Sequence, residues 1–271
     1  SERPTEFDDS SISDSEISTK FTSFSDLLKN ISRQSDISTL AYNKTIKSYT
    51  EKWHASNRKR ASAAMEFLFN SNNKNTKTHF AYFGRSKSSV LLNAIKQVLQ
   101  KQSRTSFLNK NLSTSINHDE KFVYFPLGVD QEHNLLIGAP FYTNQLETIR
   151  HVAKSIPINY KIYVKEHPSS VTRNWKSISD YKEIMNVPNV RLLHHSVPQS
   201  ELFQNCSLVV SAMGSSCLEA AFYGKPSVIF GKLYYSILPS VHHVETLSKL
   251  PEIIRSSLQE TVNLQDVERF L

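Results

Sequence analysis

The 271-residue chain is poor in cysteine, in glycine and in long apolar runs. Cys206 and Cys217 are its only cysteines, too few for the disulfide framework of a small secreted domain. Both lie in apolar stretches, so packing is their expected role. No CxxC, HExxH or EF-hand spacing occurs, and no metal site is expected. No run approaches the roughly 18 apolar residues of a membrane span. The opening stretch, SERPTEFDDSS, is acidic and polar, unlike a secretory leader, and it lacks an initial Met. A cytoplasmic chain with an upstream part missing is therefore expected.

What is present is a mild basic excess. Thirty-two Lys and Arg stand against 25 acids, a formal net charge of +7. Such a balance suits nucleotide phosphates, anionic glycans or an anionic membrane surface. Nucleic acid asks for a basic face interleaved with stacking aromatics. The one dense basic cluster, SNRKRAS at 56–62, reads as a solvated helix face instead. Nucleic acid is not expected as a partner.

Glycine is also unevenly spread. Gly84 stands alone before residue 120, whereas Gly128, Gly138, Gly214, Gly224 and Gly231 follow it. The shift predicts two styles of architecture. Residues 1–20 are Ser- and acid-rich and read as a disordered tail. Residues 21–118 read as a mainly helical region and linker, with helices over FTSFSDLLKNI, 41–70 and 88–101, a short strand at HFAYFG, and a polar linker at 103–120. From residue 119 strands and helices alternate. KFVYFPL, YKIYVKE, NVRLLH, SLVVSA and PSVIFG read as strands. Helices fall between them, and a last one covers about 247–260. Alternation of this kind predicts an α/β, Rossmann-like parallel sheet with helices on both faces. Its ligands bind at the carboxyl ends of the strands.

Two stretches would reach that edge. YKIYVKEHP ends a strand on Glu166, His167 and Pro168. Pro168 cannot extend a central strand and turns the loop outward. His167 could donate to a phosphate or act as an acid near neutral pH, or simply cap a loop carbonyl. Glu166 could hold the imidazole or take a sugar hydroxyl. The second stretch is SLVVSAMGSSCLEAAFYGKP. Gly214 allows close approach of a ligand. Ser215 and Ser216 open a helix whose free N–H groups attract an anion. Glu219, one turn on, could cap the turn or meet a sugar hydroxyl. An ordinary capped βαβ unit would need the same residues. Lys165 and Lys225 sit at strand ends, where lysines are usually solvated, and could screen phosphate charge. His194 and His195 end another strand, with surface or capping roles open to them.

In order along the chain, KFVYFPLGVDQE, APFYTNQLETIRHVAKSIP, YKIYVKEHP, VRLLHHSVPQSELFQNCSLVVSAMGSSCLEAAFYGKPSVIFG and YYSILPSV resemble the capsule polysaccharide biosynthesis family over about residues 119–245. Its members are bacterial glycosyltransferases, Kdo transferases among them. The resemblance implies a GT-B enzyme whose carboxyl-terminal half binds a nucleotide sugar, often a CMP-activated acid, with no further cofactor. It implies that His167 and Pro168 meet the nucleotide and that Gly214, Ser215 and Ser216 meet its phosphate. The chain departs from the family in places. FPLGVDQE keeps Glu132 but has Gly128 and Gln131 where the family has His and Pro, and Leu218 replaces a Trp. His167 is the candidate acid, and Glu132 is the best candidate base inside the chain, where it could equally be a donor-binding carboxylate. The implied partners are a nucleotide sugar and a glycan or lipid-linked acceptor. Amphipathic helices at 22–70 could dock on the inner face of the membrane. A CDP-polyol phosphotransferase of similar fold, or a binding module of a synthesis complex without catalysis, would carry the same motifs.

Overall fold

A computed structural model describes residues 86–128, 133–167 and 176–270, with isolated helical positions between 61 and 69. The expected tail at 1–20, the expected helix at 21–31, most of the expected helix at 41–70 and the expected HFAYFG strand lie outside the described residues. Two compact units are present, Leu40–Asn111 and a unit built from Ser1–Thr39 with Leu112–Leu271.

In the first unit α1 spans Lys87–Asn111. It overruns the expected end at residue 101, so the stretch expected to be linker begins as helix. The reason is local. QKQSRTSFLNKN contains neither Gly nor Pro, and Lys, Gln, Arg and Leu are all good helix formers.

The second unit is a six-stranded sheet. Its strands are β1 (Phe122–Pro126), β2 (Lys161–Lys165), β3 (Val190–Leu193), β4 (Leu208–Ser211), β5 (Ser227–Ile229) and β6 (Val241–His243). All pairings are parallel, in the order β3-β2-β1-β4-β5-β6. This is the doubly wound Rossmann order. The expected parallel sheet is there with one strand more. β6 escaped notice because a three-residue VHH edge strand carries no periodic signal. Six-residue α2 (His133–Gly138) and seven-residue α8 (Leu264–Phe270) escaped for the same reason.

The remaining helices are α3 (Gln145–Ser155), α4 (Ile178–Met185), α5 (Gln199–Asn205), α6 (Ser216–Phe222) and α7 (Leu250–Ser257). Asn144 opens α3 by accepting from the Glu147 N–H, and Ser177 opens α4 in a reciprocal capping box with Asp180. Successive strand residues face opposite sides. Phe122 and Tyr124 of β1 join Phe203 of α5, Ala220 and Ala221 of α6 and Val267 of α8 in one core. Val123 and Phe125 point the other way and are fully buried. On that second face α3 packs on α4 and on α7, which also contacts β5. The central strands are thus covered on both sides, which leaves the strand ends as the place for polar chemistry.

Candidate functional site at the carboxyl edge of the sheet

The order of strands reverses between β1 and β4. Chain leaving β1 runs one way to β2, and chain leaving β4 runs the other way to β5. A crevice opens where the two departures diverge. Its β1 wall is fixed by Gln145, a buried side chain at the start of α3. The Gln145 Oε1 accepts from the Gly128 N–H at 2.7 Å, and its Nε2 donates to the Gly128 carbonyl at 3.0 Å. One amide therefore satisfies both backbone groups of a residue that has left the sheet.

The β4 wall is the turn Ala212–Ser215. Gly214 has φ +126°, a region L side chains rarely adopt, and a Cβ built there would meet nothing within 4 Å. The turn is both glycine-dependent and open above. It is held from several sides. The Tyr235 hydroxyl donates to the Gly214 carbonyl, and the Ser211 hydroxyl donates to the Met213 carbonyl at 3.1 Å. Met213 lies between two glycines. A Cβ on Gly138 would come within 2.3 Å of its Cε, and one on Gly231 within 2.4 Å of its Sδ. Met213 also packs with Leu135, Ala139, Ala212 and Tyr142. The connection leaving β1 is thereby seated on the β4 turn.

Ser215 and Glu219 interact directly. The Ser215 hydroxyl donates to Glu219 Oε1 at 2.7 Å, and Gln199 Nε2 from α5 donates to Glu219 Oε2 at 3.0 Å. Ser215 therefore spends its hydroxyl on Glu219 and gives α6 no side-chain cap. Burial raises the Glu219 pKa, and the Ser215 bond offsets part of that rise. Ser216 begins α6 beside this pair.

At the end of β2 the chain goes inward before it goes out. Lys165 and Glu166 are both buried, with the Tyr181 hydroxyl of α4 donating to Glu166 Oε1 at 2.5 Å. Lys165 is thus not the solvated strand-end lysine of sequence expectation. His167 follows and is exposed. Pro168 and Glu132 lie outside the described residues. At the end of β3, His194 Nδ1 accepts from the Ser196 N–H at 3.2 Å and contacts the Ser196 hydroxyl at 2.6 Å. That places the ring proton on Nε2, and burial lowers the His194 pKa. The rings of His194 and His195 lie 4.0 Å apart.

The sheet therefore brings Glu166, His167, Gly214, Ser215, Ser216 and Glu219 to one edge. Sequence reading missed Gln145, Gln199, Tyr181 and Met213, whose roles are visible only as contacts across elements. Cys206 and Cys217 are buried, and burial pushes both thiols up to about 12, as expected of packing residues. Among the described residues no group of three or more His, Cys, Asp or Glu is placed to hold a metal ion.

No curated protein matches the chain. Among solved structures, the Thermosulfurimonas dismutans KpsC beta Kdo 2,7 transferase is similar at 18% identity and TM-score 0.41, covering 66% of this chain and 52% of that one. The Methanocaldococcus jannaschii UDP-GlcNAc 2-epimerase is similar at 15% identity and TM-score 0.41, covering 61% and 47%. TarM is similar at 19% identity and TM-score 0.38, covering 59% and 31%. The chain spans about half the length of the first two. The family profile described as capsule polysaccharide biosynthesis protein matches residues 27–239, which include the Gly214 turn and Tyr235. With most of its length inside that match, this chain belongs to the capsule polysaccharide biosynthesis protein family.

Proposed function

We propose that the chain is the donor-binding part of a glycosyltransferase of cell-surface polysaccharide synthesis. It takes a nucleotide sugar, a CMP-activated sugar acid such as Kdo in the first instance, into the crevice between β1 and β4. The acceptor is a glycan or lipid-linked glycan at the inner face of the membrane. The observation that carries the reading is the Gly214 turn, glycine-dependent, open above and placed at the switch point of a Rossmann-ordered sheet.

Transfer from such a donor needs a site for the departing phosphate, an acid or hydrogen-bond donor for it, and a base for the acceptor hydroxyl. The backbone N–H groups following Gly214 supply fixed donors that need no reorganisation during reaction. Ser216 is the nearest hydroxyl. Ser215 joins it by exchanging its bond to Glu219 for one to the phosphate, with Gln199 retaining Glu219. His167, exposed beyond β2, is the candidate acid for the leaving phosphate, and Glu132 is the candidate base. Glu166, tied to Tyr181, serves to fix the exit of β2.

Calorimetric titration with CMP, CDP, UDP and GDP tests the reading. Selective binding of a cytidine nucleotide is expected, weakened by roughly tenfold or more in a Ser215→Ala, Ser216→Ala variant, the loss of one to two charge-assisted hydrogen bonds. Binding of none of the four would overturn it in favour of a module without catalysis.

A further inference from the structure

The helix α1 lies in the first unit, and its composition is one-sided. Its 25 residues include Lys87, Lys96, Lys101, Arg104 and Lys110 and no Asp or Glu. Its apolar residues are not evenly spread either. At 3.6 residues per turn, Leu91, Leu92, Ile95, Val98 and Leu99 fall within an arc of about 120°. An arc of this width on a globular helix is ordinarily turned to a core. Here Leu92 is 67% exposed, Ile95 58%, Val98 45% and Leu99 60%. The buried positions of α1, Arg104 and Leu108, come later and lie on the other side of the helix.

Charge is arranged around the stripe. Lys96 sits roughly 40° beyond Leu92 and Lys101 roughly 60° beyond Val98, so an exposed lysine flanks each margin. Asn93, Gln97 and Gln100 fill the opposite face. Long lysine side chains at the margins of an apolar stripe can extend their amines towards lipid headgroups while their stems cover hydrocarbon. Among the described residues no helix is long and apolar enough to cross a membrane. The pattern fits a helix that lies in the interface instead.

We propose that the Leu91–Lys101 half of α1 docks on an anionic phospholipid bilayer, with Leu92, Ile95, Val98 and Leu99 in the acyl boundary and Lys96 and Lys101 on the headgroups. The absence of any acidic residue in α1 selects an anionic surface over a protein partner of mixed charge. This assignment is independent of nucleotide chemistry. It concerns a helix other than the stretch 22–70, which sequence alone offered as a membrane contact and which lies almost wholly outside the described residues.

The test is co-sedimentation of the full chain with phosphatidylcholine vesicles, with and without phosphatidylglycerol. Binding is expected only with phosphatidylglycerol present. It should be released in roughly 1 M salt, where the screening length falls to about 3 Å. Lys96→Gln and Lys101→Gln should each weaken partitioning about fivefold. Ile95→Glu with Leu99→Glu should abolish it while leaving the circular-dichroism spectrum and the nucleotide titration unchanged. Failure to bind, or binding indifferent to the Glu pair, overturns the proposal. So does a dimer in solution that the Glu pair splits and that ignores vesicles, because the stripe then covers a second copy. A chain that binds a cytidine nucleotide but no vesicle would sink this assignment and leave the crevice reading standing.

Discussion

The ends of β2 and β4 bring polar side chains to the same sheet edge by different means. At β4 the turn is locked from outside. Met213 lies between Gly138 and Gly231, the Tyr235 hydroxyl holds the Gly214 carbonyl, and Gln199 with Ser215 holds Glu219. At β2 the buried carboxylate of Glu166 accepts from the Tyr181 hydroxyl, and the next residue is exposed. The contrast matches the two tasks proposed for the edge. Stabilising a phosphate calls for donors fixed before the ligand arrives. Passing a proton calls for a group that solvent and substrate can reach, and His167 is exposed.

Because the Tyr181 hydroxyl donates to a buried carboxylate, Tyr181→Phe should be the costliest polar change at the edge. It removes a donor to a buried carboxylate, a loss of about 1.5–3 kcal/mol in urea unfolding. Ser215→Ala leaves Glu219 with its Gln199 donor and should cost only about 0.5–1.5 kcal/mol. Equal losses would erase the distinction between the two ends. The steric lock at β4 is tested next, with effects smaller than that of Tyr181→Phe. Gly231→Ala should destabilise by about 1–2 kcal/mol through overpacking, and Gly138→Ala by less, because its methyl first meets the flexible end of Met213. In a Met213→Ala background the Gly138→Ala loss should vanish, because the three atoms nearest the added methyl all belong to Met213. The Gly231→Ala loss should persist in part, since Ala139 Cβ at 3.1 Å and the Ala212 carbonyl at 3.3 Å remain. A double-mutant cycle reads both outcomes. Identical rescue would mean that Met213 alone forms the lock.

Alternation of apolar strands with helices made the sheet legible, and the chain-breaking KEHP and glycine-containing SAMGSS stretches marked where two strands end. Gly214 was legible for a physical reason: few residues other than glycine accept φ +126°. What could not be read was anything that depends on a partner distant in sequence. Gln145 has no local signature of its hold on Gly128, and Gln199 lies 20 residues from Glu219. Tyr181 lies in a short stretch whose sequence predicts only a helix, and its hydroxyl is informative only beside Glu166. The 103–111 stretch shows the converse error. Its serines and asparagines suggested linker, but a run without Gly or Pro simply continued the helix.

The smallest predicted effect separates Glu219 as an ionised ligand from Glu219 as a tethered, partly buried acid. Burial raises its folded pKa above the ordinary value, with the Ser215 hydroxyl opposing. The folded chain therefore keeps a proton that the unfolded chain has already lost. Stability from this group is complete below the unfolded value of about 4.3 and is lost as pH rises through the folded one. Glu219→Gln is neutral at every pH and lacks that loss. The stability of wild type relative to Glu219→Gln should thus decline from about pH 4.3 upward, no more steeply than about 1.4 kcal/mol per pH unit, the limit for one proton. It should level off once the folded carboxyl has ionised. An anion held at the Gly214 turn lies close to this carboxylate, so adding the nucleotide should carry the decline to higher pH. A decline that ignores the nucleotide would place the phosphate away from the turn. A relative stability that rises with pH would mean that Ser215 and Gln199 favour the ionised form by more than burial opposes it, and the β4 end would then hold a charge rather than an acid.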